Sequence, residues 1–216
     1  MRKEERLKNI GEILETYGRH ELPYDIDANC IYSRTLGMPL SEEYYNFRTN
    51  MIDIQGYPII TKRLCKALAE FIGNRKVLEV MSGKGTLAKG LIDEGVNVKP
   101  TDNFSWEAPG FFNNLWTDIE DIDALDGIKK YAKDYDILLA SWMPYDDPIA
   151  YDILLEMRKQ NSNMIMLFIG EDWGGCCACD KFFEAVQRIE NKTIEDINKN
   201  VFRVHYGIHD EVMLFN

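Results

Sequence analysis

Residues 76–102 read KVLEVMSGKGTLAKGLIDEGVNVKPTD, and the reading of this stretch decides the fold. Val77, Leu78 and Val80 make an apolar run that reads as a buried strand. Small residues follow at Ser82, Gly83 and Gly85, and Leu87, Leu91 and Ile92 then recur at helical spacing. A second strand, Val96–Thr101, ends on Asp102. This is a β-turn-α-β unit. Its physical use is to bring a ligand against bare backbone where a helix begins, because glycine removes the blocking Cβ and the helix start offers unpaired N–H groups. Asp102, about 20 residues beyond the turn, sits where a carboxylate grips two ribose hydroxyls. The unit therefore predicts an adenosine-containing ligand.

Working outward, apolar strands alternate with helices. Thr61–Ile72 reads as a helix stopped by Gly73-Asn74, Asp123–Lys133 and Ile149–Lys159 as two more, and Asp180–Glu190 as a fourth. Strands are expected near Trp116–Glu120, at Tyr135–Ala140 and at Asn163–Ile169, with two last ones in 193–204 and 211–215. The alternation predicts a doubly wound α/β fold with a mostly parallel sheet covered on both faces. The loops 81–85, 102–106, 141–148 and 170–175 all follow strands, so they share the ligand-binding edge. Towards the N-terminus, Leu7, Ile10, Leu14 and Tyr17 lie on one face of a helix over 3–18. Residues 20–58 read as irregular and aromatic, a segment that wraps the core or covers a site. The expected division is an N-terminal helical and irregular extension, 1–55, and a ligand-binding domain, 56–216.

Composition narrows the function classes. The chain has 216 residues, 45% of them hydrophobic, enough for one fairly large core. A net charge of −11 argues against a dedicated nucleic-acid binder. No apolar run approaches a membrane span, and the first twenty residues read as a charged helix rather than a leader. Five cysteines, three of them at Cys176, Cys177 and Cys179, do not form a disulfide framework, and the expectation is reduced thiols in a cytoplasm. Their C-C-x-C spacing is not a usual metal set, so no metal is expected. Oligomeric state is not legible.

Gly83-Lys84-Gly85-Thr86-Leu87-Ala88 matches GxGxxA, which keeps a nicotinamide dinucleotide and an oxidoreductase as a rival. Glu79, just before the glycine loop, weighs the other way: a carboxylate there suits the ammonium end of a methionine moiety and repels a pyrophosphate. Ser141-Trp142-Met143-Pro144-Tyr145 is similar to the (N/D/S)-P-P-Y loop of many methyltransferases. From about Tyr57 onward the chain resembles class I S-adenosylmethionine-dependent methyltransferases. It is closest to a sub-group with a V-E-I-G-A-G-x-G-type loop, then C-W-P-P-Y-D, G-E-x-x-G-G-C and G-I-H-D. Those elements stand here as Leu78–Gly85, Ser141–Asp146, Gly170–Cys176 and Gly207–Asp210.

The resemblance implies a seven-stranded Rossmann-like sheet with an antiparallel last strand, S-adenosylmethionine as cofactor, and a small-molecule or protein acceptor. It implies cofactor contacts from Tyr57, Glu79, Met81, Gly83, Gly85, Asp102, Asn103, Asp123, Ser141 and Trp142. Tyr145, Asp146 and His209 are the candidate catalytic residues. Two departures stand out. Met81 replaces the first glycine of the loop, which would narrow the pocket, and Trp142 stands where amine-methylating enzymes carry Asn, Asp or Ser, which counts against adenine-N6 or glutamine-amide methylation. Several residues have two readings: Asp123 as helix cap or adenine contact, Asp146 and Asp147 as caps or general base, and His209 with Asp210 as a turn or as a base with its orienter. A non-catalytic module that keeps the fold is the third functional reading.

Overall fold

The computed structural model describes residues 3–26, 42–106 and 110–216. Among these, six strands form one sheet: β1 (Val77–Val80), β2 (Val98–Asp102), β3 (Glu120–Asp121), β4 (Ile137–Ser141), β5 (Ile165–Glu171) and β6 (Asp210–Phe215). Their spatial order is β3-β2-β1-β4-β5-β6. All neighbours are parallel except β5 and β6, which run antiparallel. The strand order reverses at β1, so the ends of β1, β2 and β4 open onto one crevice.

Strand alternation sends side chains to two cores. Val77, Leu139, Leu167, Ile169 and Leu214 face a core completed by α1 (Lys3–Gly18), α2 (Glu42–Gln55), α3 (Lys62–Ile72) and α4 (Thr86–Asp93). Leu78, Val80, Leu138, Ala140, Phe168 and Met213 face the other. That second core is completed by α5 (Ala124–Tyr131), α6 (Ile149–Gln160) and the short α7 (Asp180–Ala185). β1 and the first four residues of β4 are buried on both faces, which is why their sequence is apolar at every position but Glu79.

The sheet has six strands where the resemblance implies seven. Residues 193–204 form α8 (Lys192–Asp196) and a π-helical turn, Ile197–Val201, in place of the expected strand. Asn191 explains the difference: its side chain accepts from the N–H groups of Thr193 and Ile194 and so starts a helix. At Val212 the outer edge of β6 is served by one side chain instead. The Asn198 amide donates to the Val212 carbonyl and accepts from the Val212 N–H, both at 2.8 Å, reproducing one rung of a ladder. The helix expected over 180–190 stops at Ala185, because Gln187 and Ile189 pair with Asn216 and Leu214 at the end of β6. The strand expected near 116–120 shrinks to Glu120–Asp121.

The segment 20–58, read as irregular, contains α2. Residues 27–41 lie outside the described residues. What is described is tied firmly to the rest: Tyr17 donates to the Ile60 carbonyl from a buried hydroxyl, and Trp116 donates to the Ile54 carbonyl. Asp25 is the strongest knot. Its carboxylate accepts from Arg63 and, through two nitrogens, from Arg203, while the Ile26 N–H caps one oxygen. Burial pushes its pKa up, and the hydrogen bonds from Arg203 and Arg63 outweigh that and bring it below the ordinary carboxylate value.

Removing that carboxylate leaves two arginines sharing no counter-charge. Asp25→Ala should lower stability by about 1–3 kcal/mol in urea unfolding. A lowered native pKa means that the wild-type contribution is present above the unfolded value. It is lost as pH falls through the native one, so the variant and the parent should converge in acid.

Candidate functional site

The crevice at the carboxyl ends of β1, β2 and β4 is a cavity of about 640 Å³, within the range of small-molecule pockets. Its floor is the bend after β1. Ser82 donates to the Thr101 carbonyl from both its N–H and its hydroxyl, and the Gly83 N–H donates to Asp102 Oδ2 at 2.8 Å. The bend is thereby sewn to the tip of β2. Gly83 lies at φ +57°, and a Cβ there would meet only the edge of the Phe111 ring at 3.8 Å, so backbone is bared to the cavity. Met81, at φ +55°, lines the cavity while packing against the second core.

Gly85 is placed differently. It precedes α4 at φ +74°, and a Cβ there would come within 2.9 Å of Ile119 and 3.0 Å of Thr117. Its smallness serves packing, and it does not line the cavity.

Glu79 carries the sharpest signal. It is 2% exposed, it lines the cavity, and its Oε2 has no hydrogen-bond partner. Burial pushes its pKa up to about 8, and the charge of Asp102 pushes the same way. No lysine or arginine among the described residues compensates it. Asp102 is 8% exposed and accepts from the N–H groups of Gly83 and Phe104, one on each oxygen. Burial raises its pKa, with these two N–H groups pulling it down and Asp121 adding to the rise. Each oxygen keeps a lone pair for a further donor.

Asp123 and Asn103 close one side. Asp123 Oδ1 caps α5 by accepting from the Leu125 N–H, and Oδ2 accepts from Asn103 at 3.4 Å. Asp123 therefore caps a helix and lines the cavity at once. Ala124 and Ile149 lie on the same wall, with Met143 buried there.

The opposite wall comes from β4 and its loop. Ser141 lines the cavity and its hydroxyl oxygen is buried without a partner. Trp142 stacks on Tyr57 with centroids 4.7 Å apart and planes 15° from parallel. Trp142, Phe104 and Asp146 all have positive φ, as Met81 does, so four strained residues crowd this one edge. Tyr145 reaches the cavity while 68% exposed.

Asp146 and His209 are not brought to the cavity. The Asp146 N–H donates to the Ala178 carbonyl beside a separate small recess, whereas its neighbour Asp147 lines the main one. The His209 ring is 88% exposed, and its backbone N–H donates to Glu171 Oε1. Asp210 turns inward. It is buried, its two oxygens lack well-formed hydrogen bonds, and burial raises its pKa to about 7, opposed by the facing Trp142 N–H and aided by Glu171. Glu171 also accepts from the Cys176 N–H, so one carboxylate staples the loop after β5 to the turn before β6. Cys176 lines the cavity, and Cys177 is buried with its sulfur accepting from the Glu171 N–H. Among the described residues, no group of three or more His, Cys, Asp or Glu is set to hold a metal ion. Among them, too, no helix is long and apolar enough to cross a membrane.

Sequence reasoning passed over Gln55, Lys84, Trp106, Phe111 and Phe112, all of which line the cavity. Gln55 is 3% exposed, and its amide donates to the carbonyls of Gly56 and Pro58, shaping the wall that holds Tyr57. Lys84 is 4% exposed, donating to the Asn113 carbonyl and lying 4.8 Å over the Phe111 ring. The aromatic density of the loop after Asp102 was the signal available for the phenylalanines and Trp106.

No protein-family model matches the chain, and no curated protein sequence matches it. Several solved structures are similar to it. TehB from Haemophilus influenzae is 16% identical, with 78% of this chain and 66% of that chain covered and a TM-score of 0.45. A SAM-dependent methyltransferase from Archaeoglobus fulgidus is 15% identical, with 80% and 99% covered and a TM-score of 0.44. Magnesium protoporphyrin IX methyltransferase (ChlM) from Synechocystis PCC 6803, solved with bound SAM, is 8% identical, with 96% of each chain covered and a TM-score of 0.45. The chain thus spans just under two thirds of the TehB chain. At scores below 0.5 the likeness decides nothing about this chain's chemistry.

Proposed function

We propose that the chain is an S-adenosylmethionine-dependent methyltransferase. The observation that carries this reading is the floor of the cavity: a buried glutamate with an orphaned oxygen, beside an aspartate, under bare glycine backbone, with no lysine or arginine among the described residues offsetting the glutamate. A pyrophosphate would bring negative charge beside Asp102, whereas a ligand bearing an ammonium lets Glu79 ionise and pair with it. The floor therefore weighs against the nicotinamide reading that GxGxxA alone allows.

The residues fit the cofactor in three places. Glu79 would take the ammonium of the methionine tail, the free lone pairs of Asp102 the two ribose hydroxyls, and Asp123 with Asn103 the edge of the adenine. S-adenosylmethionine supplies an electrophilic methyl carbon: the acceptor's lone pair bonds to it, the carbon–sulfur pair stays on sulfur, and any proton the acceptor loses goes to a carboxylate or to water. The chain's own part is chiefly to hold the acceptor in line and exclude water, which alone can remove about 7–11 kcal/mol from a barrier. A module that binds the nucleoside without transferring its methyl group remains the alternative, and product analysis separates the two. S-adenosylhomocysteine in the presence of an acceptor reads methyl transfer, and methylthioadenosine would read transfer of the amino-acid tail instead.

Calorimetry tests the ligand assignment from both ends. Glu79→Gln should weaken S-adenosylhomocysteine about 10- to 100-fold, the worth of a hydrogen bond to a charged group. The same change should leave methylthioadenosine, which lacks the tail, nearly unaffected. Asp102→Ala should weaken both. Absence of binding by S-adenosylhomocysteine at millimolar concentration would remove the proposal.

The protonation of Glu79 gives a second expectation. With its pKa near 8 in the empty site, Glu79 is neutral at pH 7 and must lose its proton to pair with an ammonium. Affinity should rise with pH up to about 8. It should then level off, and fall only at the higher pH where the ligand's own amino group loses its charge. At pH 7 binding should release close to one proton, read from the dependence of binding heat on buffer ionisation heat. Glu79→Gln should abolish that release.

A further inference from the structure

Resting on the methyltransferase reading, we propose that the acceptor for this cavity is an organic amine, protonated in solution, carrying an apolar or aromatic body. Of the carboxyl side chains that line the cavity among the described residues, Glu79, Asp102 and Asp123 are given to the cofactor, and Asp147 remains to face an acceptor; the described cation on the cavity is Lys84. Lys84 is committed to the Asn113 carbonyl and the Phe111 ring, and it contributes nothing to the environment of Glu79. The chain's net charge of −11 adds a bias of the same sign at longer range. An acceptor bearing a carboxylate or phosphate would enter against Asp147 and against that longer-range bias. A cation would enter with them.

The walls answer the same chemistry. Trp106 and Tyr145 line the cavity while 52% and 68% exposed, so two large rings stand at its mouth with their faces in water. Deeper in, the stacked pair Tyr57 and Trp142 offers further ring surface. Aromatic faces attract cations through their quadrupole and also cover an apolar body. Asp147 is half-buried on this cavity and spends one oxygen on the Ile149 N–H. Its other oxygen is available for the proton an ammonium must lose before its nitrogen can accept a methyl group, and water is the other outlet. A basic alkylamine needs no polarising carbonyl once deprotonated.

The test is calorimetry on the full chain saturated with S-adenosylhomocysteine. The probes are 2-phenylethylamine, a short lysine-containing peptide, and phenylacetate, which keeps the ring and reverses the charge. At least one of the two amines should bind at least about tenfold tighter than phenylacetate. Which amine does so distinguishes a free small molecule from a protein side chain. Trp106→Ala and Tyr145→Ala, both at exposed positions outside the two cores, should each weaken the amine about two- to fivefold. Equal or tighter binding of phenylacetate, or no amine binding to the loaded protein, overturns the acceptor class and leaves the cofactor reading standing. An amine affinity indifferent to both ring substitutions overturns the part given to the mouth. Failure of S-adenosylhomocysteine itself to bind removes both readings, so the two failures are told apart.

Discussion

The hydrogen bond from the Gly83 N–H to Asp102 Oδ2 is the contact on which the site depends. It joins the bend after β1 to the tip of β2, and the paired bonds of Ser82 to the Thr101 carbonyl reinforce it. Thr101 returns the link by donating from its hydroxyl to the Glu79 carbonyl. These four bonds hold two acids near one another at the bottom of a dry crevice, which electrostatics alone would oppose. A protein that keeps such an arrangement without a counter-ion gives up stability for it, and keeping Glu79 neutral limits the cost.

The same trade recurs around the crevice. Met81, Phe104, Trp142 and Asp146 hold left-handed backbone that side chains resist. Three of them are pinned by something specific: the Phe104 N–H by Asp102, the Trp142 N–H by the Ile169 carbonyl, and the Asp146 N–H by the Ala178 carbonyl. Strain of this kind persists only where the surroundings over-determine it. Here the surroundings are the β5 end and the loop after it, which Glu171 staples to the turn before β6. Loops distant in sequence are made rigid by one another.

Much of this was legible in the chain because it is local. The β-turn-α-β unit places Glu79, Gly83 and Asp102 within one short stretch, and strand alternation fixes which loops share an edge. Asp123 and Trp142 follow from the same rule. What escaped depends on contacts no local pattern shows. Gly85 matches a ligand motif, yet Thr117 and Ile119, brought in by the loop after β2, are what its lack of a side chain accommodates. Gln55 enters because α2 returns across the sheet end, and that helix hid in a segment read as irregular. The His209–Asp210 pair looked like a base and its partner, but a strand beginning at Asp210 sends the acid inward and leaves the imidazole in water. Residues 193–204 alternate well enough for a strand, and a single cap at Asn191 overrides them.

That override leaves the sheet a strand short, with the outer margin of β6 guarded at Val212 by the side chain of Asn198. A backbone edge is ordinarily shielded by many groups acting together, so that losing any one matters little. At this rung the shield is a single amide, and its loss would expose there a donor and an acceptor spaced for a neighbour's strand. The position therefore guards self-association as well as fold, and the danger of altering it would show first in concentrated solution rather than in the isolated molecule.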